Sequence, residues 1–230
     1  MRTTVATWNS QGYNNAKWDI VKQLARSCSV ICLQEAGALA SEPAGTQRDG
    51  LYIYGWSGAD TDAYRNNRVS LAIVSTQQAT SIGFSFGYDR GLGYITIGNM
   101  LYGTWHEKRG NGGIAQALIG ALRETGATTC IIGGDFNDQT FTVHALGSSS
   151  RSRMTIRSVD SSAYNFAYSG TPTHKVSGHN LDRVYVSNNL TIIHHWAISV
   201  PVSDHNPVCA TVVDSTADMT YWESFKSLFA

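Results

Sequence analysis

Short apolar segments, most of them too short to be helices and bounded by turn-forming or polar residues, constrain this chain more than any other feature. Residues 3–8, 30–33, 51–56, 69–75, 93–98, 100–105, 128–132, 181–187, 190–198 and 207–213 read as strands. β-Branched and aromatic side chains in runs of this length suit a pleated, half-buried or buried surface. Gly98-Asn99 between two of these runs is a tight-turn signal and predicts a hairpin. Two interior segments carry the 3.6-residue period of an amphipathic helix. One is 17–28, with Trp18, Val21, Leu24, Ala25 and Cys28 on its stripe; the other is 113–124, with Ile114, Ala117, Leu118 and Ala121. Residues 36–50 and 148–153 read as loops, and 214–230 as a tail that docks as a short helix through Trp222, Phe225, Leu228 and Phe229. Strands that come both as hairpins and as strand–helix–strand units predict mixed sheets with helices outside, a layered α/β fold. No linker-like or repetitive tract interrupts residues 1–230, which are read as one domain.

Charge narrows the classes of partner. The 17 basic residues match the 17 acidic ones, for a formal net charge of zero, which excludes a polybasic nucleic-acid coat. A polyanionic substrate must then be held by a local patch and a bound cation, because no global field attracts it. Cys28, Cys32, Cys130 and Cys209 lie in apolar runs or on the helical stripe without any C-x-x-C pair, so buried free thiols are expected. No run has the length of a membrane span and no secretory leader precedes the first apolar run, so stable membrane insertion is not expected.

Chemistry enters where apolar runs meet polar residues. Four runs end in a polar signature: Trp8-Asn9, Gln34-Glu35, Trp105-His106 and Gly134-Asp135-Phe136-Asn137. Two others begin with one: Leu181-Asp182 and Ser203-Asp204-His205. If the last two strands run opposite to the first four, all six signatures share one rim of the sheets. Such a rim gathers carboxylates, imidazoles and amides, the donor set for a hard cation and a phosphate ester. Taken singly each signature is an ordinary turn or strand end; their joint order carries the functional reading. His144, His174 and His179 read as solvated loop histidines, and His194-His195 as strand neighbours on opposite faces. No zinc-ligand spacing, Gly-x-Ser-x-Gly elbow or phosphate-cradling glycine motif occurs.

The order of these signatures resembles the endonuclease/exonuclease/phosphatase superfamily over nearly the whole chain. Within it, residues 5–9, 34–37, 68–75 and 90–99 are most similar to the branch of cytolethal distending toxin catalytic subunits, relatives of deoxyribonuclease I. The resemblance implies a four-layer α/β/β/α sandwich of two mixed β-sheets flanked by helices, and hydrolysis dependent on Mg²⁺ or Mn²⁺. It implies Glu35, Asn9 and Asp204 at the metal, and His106, Asp135, Asn137, Asp182 and His205 as catalytic groups, with Asp182 pairing His205. Arg68 and Arg90 are implied as phosphate contacts, a role suited to the guanidinium fork. Deoxyribonuclease I has a Glu before its counterpart of Arg68 that supports a catalytic His; here that position is Asn67, a substitution shared with the toxin branch.

The activity implied is a toxin-like DNA endonuclease. Such subunits work with delivery partners and are secreted or delivered into a target cell, with action in the nucleus. The alternatives are a phosphoinositide phosphatase of the same superfamily and a catalytically inactive binding module. The sequence leaves the oligomeric state open.

Overall fold

The computed structural model describes residues 1–58, 70–88, 90–107, 113–137, 156–158, 172–187 and 189–214. In chain order the elements are β1 (Arg2–Asn9), α1 (Asn15–Leu24), β2 (Val30–Gln34), a 3-10 turn (Gly37–Ser41), β3 (Thr46–Arg48), β4 (Leu51–Trp56), β5 (Leu71–Ser75), β6 (Ser81–Phe86), β7 (Gly91–Ile97), β8 (Met100–His106), α2 (Ile114–Thr125), β9 (Thr129–Asp135), β10 (Ile156–Ser158), β11 (Asp182–Ser187), β12 (Leu190–Ala197) and β13 (Val208–Asp214). They build a seven-stranded sheet, β12-β13-β1-β2-β5-β4-β3, and a six-stranded sheet, β10-β11-β9-β8-β7-β6. Both sheets are mixed: β1–β2 and β8–β9 are parallel, and the other pairs antiparallel.

Strand alternation explains the layering. Successive side chains point to opposite faces, so a strand covered on both sides must be apolar throughout. In β2, Val30 and Cys32 face the core between the sheets, while Ile31 and Leu33 face α1. In β9, Ile131 joins the same inter-sheet core, while Cys130 and Ile132 pack under α2. The order is therefore α1, seven-stranded sheet, six-stranded sheet, α2, the four-layer sandwich expected. All four cysteines are free and buried, with the Cys28 and Cys209 sulfurs 3.8 Å apart.

The helices follow their caps. Asn14 Oδ1 accepts the Lys17 N–H at 2.9 Å at the start of α1. Gly126 closes α2 with φ +67°, its N–H donating to Leu122 O. Regular α-helix ends at Leu24, and turns carry the chain on to Cys28.

Two expectations are corrected. Residues 36–50 are not a bare loop: they hold the 3-10 turn and β3, which pairs with β4 from Arg48↔Leu51 onward. Asp49-Gly50 makes that hairpin, with φ values of +51° and +78°, the double left-handed geometry of a type I′ turn. The edge strand β6 also went unpredicted, because its Ser and Gly positions leave little apolar signal. The 97–100 hairpin is as expected, Ile97 pairing with Met100. The expected tail helix lies outside the described residues from 215 onward, as do the loop 148–153 and His144. Among the described residues no helix is long and apolar enough to cross a membrane.

Candidate active site

The polar signatures converge because of strand direction. β13 runs antiparallel to β1, and β1 parallel to β2, so the residues entering β13 meet those leaving β1 and β2. In the second sheet β8 parallels β9 while β11 opposes it, with His106↔Asp135 and Asp182↔Asp135 in register. Stacking the sheets brings the two rims together. Asn9 spans them: its Nδ2 donates to Glu35 Oε1 at 3.1 Å and to Asp135 Oδ2 at 3.0 Å.

Asp135 is the centre of the cluster. It is almost fully buried, its Oδ1 accepts the Asn137 N–H at 3.0 Å, and its Oδ2 lies 3.7 Å from Nε2 of both His106 and His205. Glu35 Oε1 is 3.9 Å from His106 Nε2, and its side chain is 44% exposed. Gln11, Glu35 and Asn137 all sit at positive φ, between 50 and 51° for Gln11 and Asn137 and 49° for Glu35. Left-handed backbone at non-glycine residues is strained and tends to gather at functional sites.

His205 is held from several sides. Its Nδ1 contacts Asp182 Oδ2 at 2.8 Å, its backbone N–H donates to Ser203 Oγ, and its carbonyl accepts the Trp8 indole N–H at 3.0 Å. Ser203 Oγ in turn donates to the Asn9 carbonyl at 2.9 Å, latching the loop onto the end of β1. Burial pulls the His205 pKa down, but the hydrogen bond to Asp182 and the charges of Asp182, Asp135 and Asp204 prevail and lift it to about 9. Burial pushes the Asp182 carboxyl up to about 6, against the hydrogen bond from His205. At neutral pH the pair is thus carboxylate and imidazolium.

His106 is the opposite case. Burial lowers its pKa, outweighing the raising effect of Asp135 and Glu35, and Arg90 and His205 lower it further. Its Nδ1 is buried and meets no hydrogen-bond partner among the described residues. Arg90 therefore stands at the site, while Arg68 lies outside the described residues. Asn137 Nδ2 donates to the Glu107 carbonyl at 2.9 Å.

Asp204 Oδ1 is buried without a hydrogen-bond partner among the described residues, and lies 3.7 Å from His205 Nε2. An orphaned carboxylate oxygen on Asp204 and the open carboxylate of Glu35 are oxygen donors of the kind that suit a hard divalent cation. Two groups of His and carboxylate atoms close to within 4.8 Å among the described residues: His174, Asp204 and His205, and Asp135, Asp182 and His205.

Several site residues escaped the sequence reading. Lys17 lies on the buried face of α1, its Nζ donating to Gln11 O at 2.5 Å. Burial lowers its pKa, while Glu35 and Asp204 act to raise it. The available signal was its spacing, four and seven residues before Val21 and Leu24. Gln34, read in the sequence only as part of the Gln34-Glu35 signature, bridges the sheets, its Nε2 donating to Thr104 Oγ1 at 3.0 Å. His174, read as a solvated loop residue, packs its ring 4.7 Å from that of His205.

Solved structures share this architecture. Cytolethal distending toxin from Actinobacillus actinomycetemcomitans aligns with a TM-score of 0.59 and 21% identity, covering 93% of this chain and 98% of that one. The Haemophilus ducreyi toxin gives 0.60 and 22%, over 92% and 98%. The human Nocturnin catalytic domain with bound sulfate gives 0.60 and 17%, over 93% of each. None of the curated proteins compared with the chain matches it. The model of the endonuclease/exonuclease/phosphatase family matches residues 6–205, a span that takes in every polar signature from Asn9 to His205, and the chain belongs to that family.

Proposed function

We propose that this chain is a phosphodiesterase dependent on Mg²⁺ or Mn²⁺, acting on DNA as a toxin-like endonuclease. One observation carries the reading: a buried carboxylate, Asp135, flanked at 3.7 Å by the Nε2 atoms of two histidines from different sheets. One histidine is charged near neutral pH and the other is held toward neutrality, a division of labour suited to phosphoryl chemistry. His205, kept protonated by Asp182, stabilises negative charge building on the phosphorus oxygens. Asp135, oriented by Asn9 and by the Asn137 N–H, orders and deprotonates the attacking water. His106 and Arg90 contact the phosphate, with Asn137 beside them, and Arg68 is proposed as a further phosphate contact. Glu35, with Asn9 and Asp204, would hold the cation, which when bound would supply Lewis-acid stabilisation of the leaving oxygen.

DNA is favoured by the likeness in fold to the two cytolethal distending toxin structures and by the motifs shared with that branch. Delivery partners and an intracellular site of action belong to the same proposal. Nicking of supercoiled plasmid with Mg²⁺ tests it. Chelator should abolish nicking, and His205→Ala or His106→Ala should each lower the rate by roughly 10²–10⁴-fold. Full activity in both variants would sink the assignment. Phosphate release from soluble inositol-lipid headgroups without nicking would identify a phosphatase instead.

A further inference from the structure

The loop at 172–181 does more than precede β11. Its Lys175 N–H donates to the Asp204 carbonyl at 2.8 Å, the Asn206 N–H donates to the Thr173 carbonyl at 2.6 Å, and Lys175 Nζ donates to the carbonyls of Val200 and Ser203. This clasp sets His174 against the Asp204-His205 segment. His174 Nε2 lies 3.5 Å from Asp204 Oδ2, and His205 Nε2 lies 3.7 Å from Asp204 Oδ1. All three residues place a donor atom within 4.8 Å of the others.

These spacings, which run to the two different oxygens of Asp204, come close to those of a particular coordination shape. Zinc bonds of about 2.0–2.2 Å in a tetrahedron put neighbouring donors about 3.4 Å apart. Two borderline imidazole nitrogens beside one carboxylate form a mixed donor set that favours zinc over magnesium. The other close trio, Asp135, Asp182 and His205, has its His205–Asp182 edge committed to a 2.8 Å hydrogen bond. Both imidazoles of the first trio also have the outer partner that ligating histidines use. His205 Nδ1 contacts Asp182 Oδ2 at 2.8 Å, and His174 Nδ1 contacts Ser177 Oγ at 2.6 Å.

We infer that His174, Asp204 and His205 form a second divalent-cation site, suited to Zn²⁺, whose occupation silences His205. Glu35 belongs to neither close trio, so this site is distinct from the one proposed for Mg²⁺, although Asp204 serves both. In the free protein His174 Nδ1 accepts the Ser177 N–H at 3.1 Å, which leaves its hydrogen on Nε2. On binding, that hydrogen moves to Nδ1, where Ser177 Oγ accepts it, and the hydrogen bond from the Ser177 N–H to Nδ1 is given up. His205 gives its Nε2 proton to solvent, so one cation enters and one proton leaves. An imidazole with Nε2 bound to zinc can no longer present a charged N–H to a phosphate. The inhibition half of this inference rests on the proposed phosphodiesterase reading; the binding half does not.

The test is calorimetric titration of the protein with Zn²⁺ in millimolar Mg²⁺, beside His174→Gln and Ser177→Ala. Wild type should bind one zinc at this site. His174→Gln should weaken it at least tenfold, and loss of the outer partner in Ser177→Ala should weaken it by about tenfold. Co²⁺ in place of zinc should give the intense absorption of four-coordinate cobalt in wild type and lose it in His174→Gln. In plasmid nicking, Zn²⁺ should inhibit wild type and spare His174→Gln. Equal zinc affinity in wild type and a folded His174→Gln, or a weak six-coordinate cobalt spectrum, would overturn the site. A protein that binds zinc through His174 but never cleaves a phosphodiester would sink the proposed function alone. An active enzyme without His174-dependent zinc binding would sink only this inference.

Discussion

His205 and Asp182 show how much of the chemistry rests on one buried contact. The 2.8 Å pairing raises the His205 pKa to about 9, against an ordinary value of 6.5, while burial raises Asp182 to about 6. The charge-separated pair is therefore the main form between about pH 6 and 9, and cleavage that needs a charged His205 should be confined to that window. The sign for stability follows from the raised histidine. Its contribution is fully present below the unfolded value near 6.5 and is lost as pH rises through about 9. At about 1.4 kcal/mol per unit, that contribution is on the order of 3 kcal/mol. Asp182→Asn should bring the His205 titration back toward 6.5, seen as the NMR shift of its ring protons. It should also pull the alkaline limb of the activity profile down with it and remove the stability loss between 6.5 and 9. A His205 titration unchanged in Asp182→Asn would show that another group holds its proton.

At the scale of elements, Gly133 on β9 sets how closely the sheets approach beneath the site. A Cβ there would meet Thr7 Cβ at 2.8 Å and Cys32 Cβ at 2.9 Å, both on the facing sheet. Gly133→Val should cost about 1–3 kcal/mol by overpacking and lower the Tm by several degrees in thermal denaturation. It should also cut activity, because Asp135, two residues on, would be pushed away from Asn9. A variant with wild-type Tm and wild-type cleavage would show that the sheets are not in close register here. The same strands explain what the sequence makes legible. β1, β2, β5, β9 and β13 are covered on both faces, so their apolar runs are continuous and could be read directly. β3 and β6 are edge strands with exposed or half-exposed side chains, and their pairing is set by neighbours and turns that leave little hydrophobic trace. The rim residues Asn9, Glu35, His106, Asp135, Asp182 and His205 were legible because polar groups at the ends of buried strands need a reason to be there. Lys17 and His174 were not: their place depends on how α1 and the 172–181 loop fold back, which no local pattern in the chain encodes.

For the whole molecule the decisive quantity is charge. The 17 basic and 17 acidic residues cancel, so a duplex carrying a dense row of phosphates meets no long-range attraction from this protein as a whole. Binding must come from the few cations at the rim and from the bound metal. Counterion release makes the salt slope a count of those contacts, about 0.9 per neutralised phosphate. With roughly two or three contacts, DNA affinity measured in Ca²⁺ or in a cleavage-dead His205→Ala background should fall by about 10- to 40-fold between 50 and 200 mM salt, far less than the roughly 10³–10⁵-fold fall of a protein with six to ten phosphate contacts. Arg90→Ala should reduce the slope by about one, uniformly across DNA sequences, since a guanidinium whose charge acts on His106 serves the phosphate and not the bases. A slope of six or more would mean that a basic surface away from this rim dominates binding, and that the site described here is not where the duplex is held.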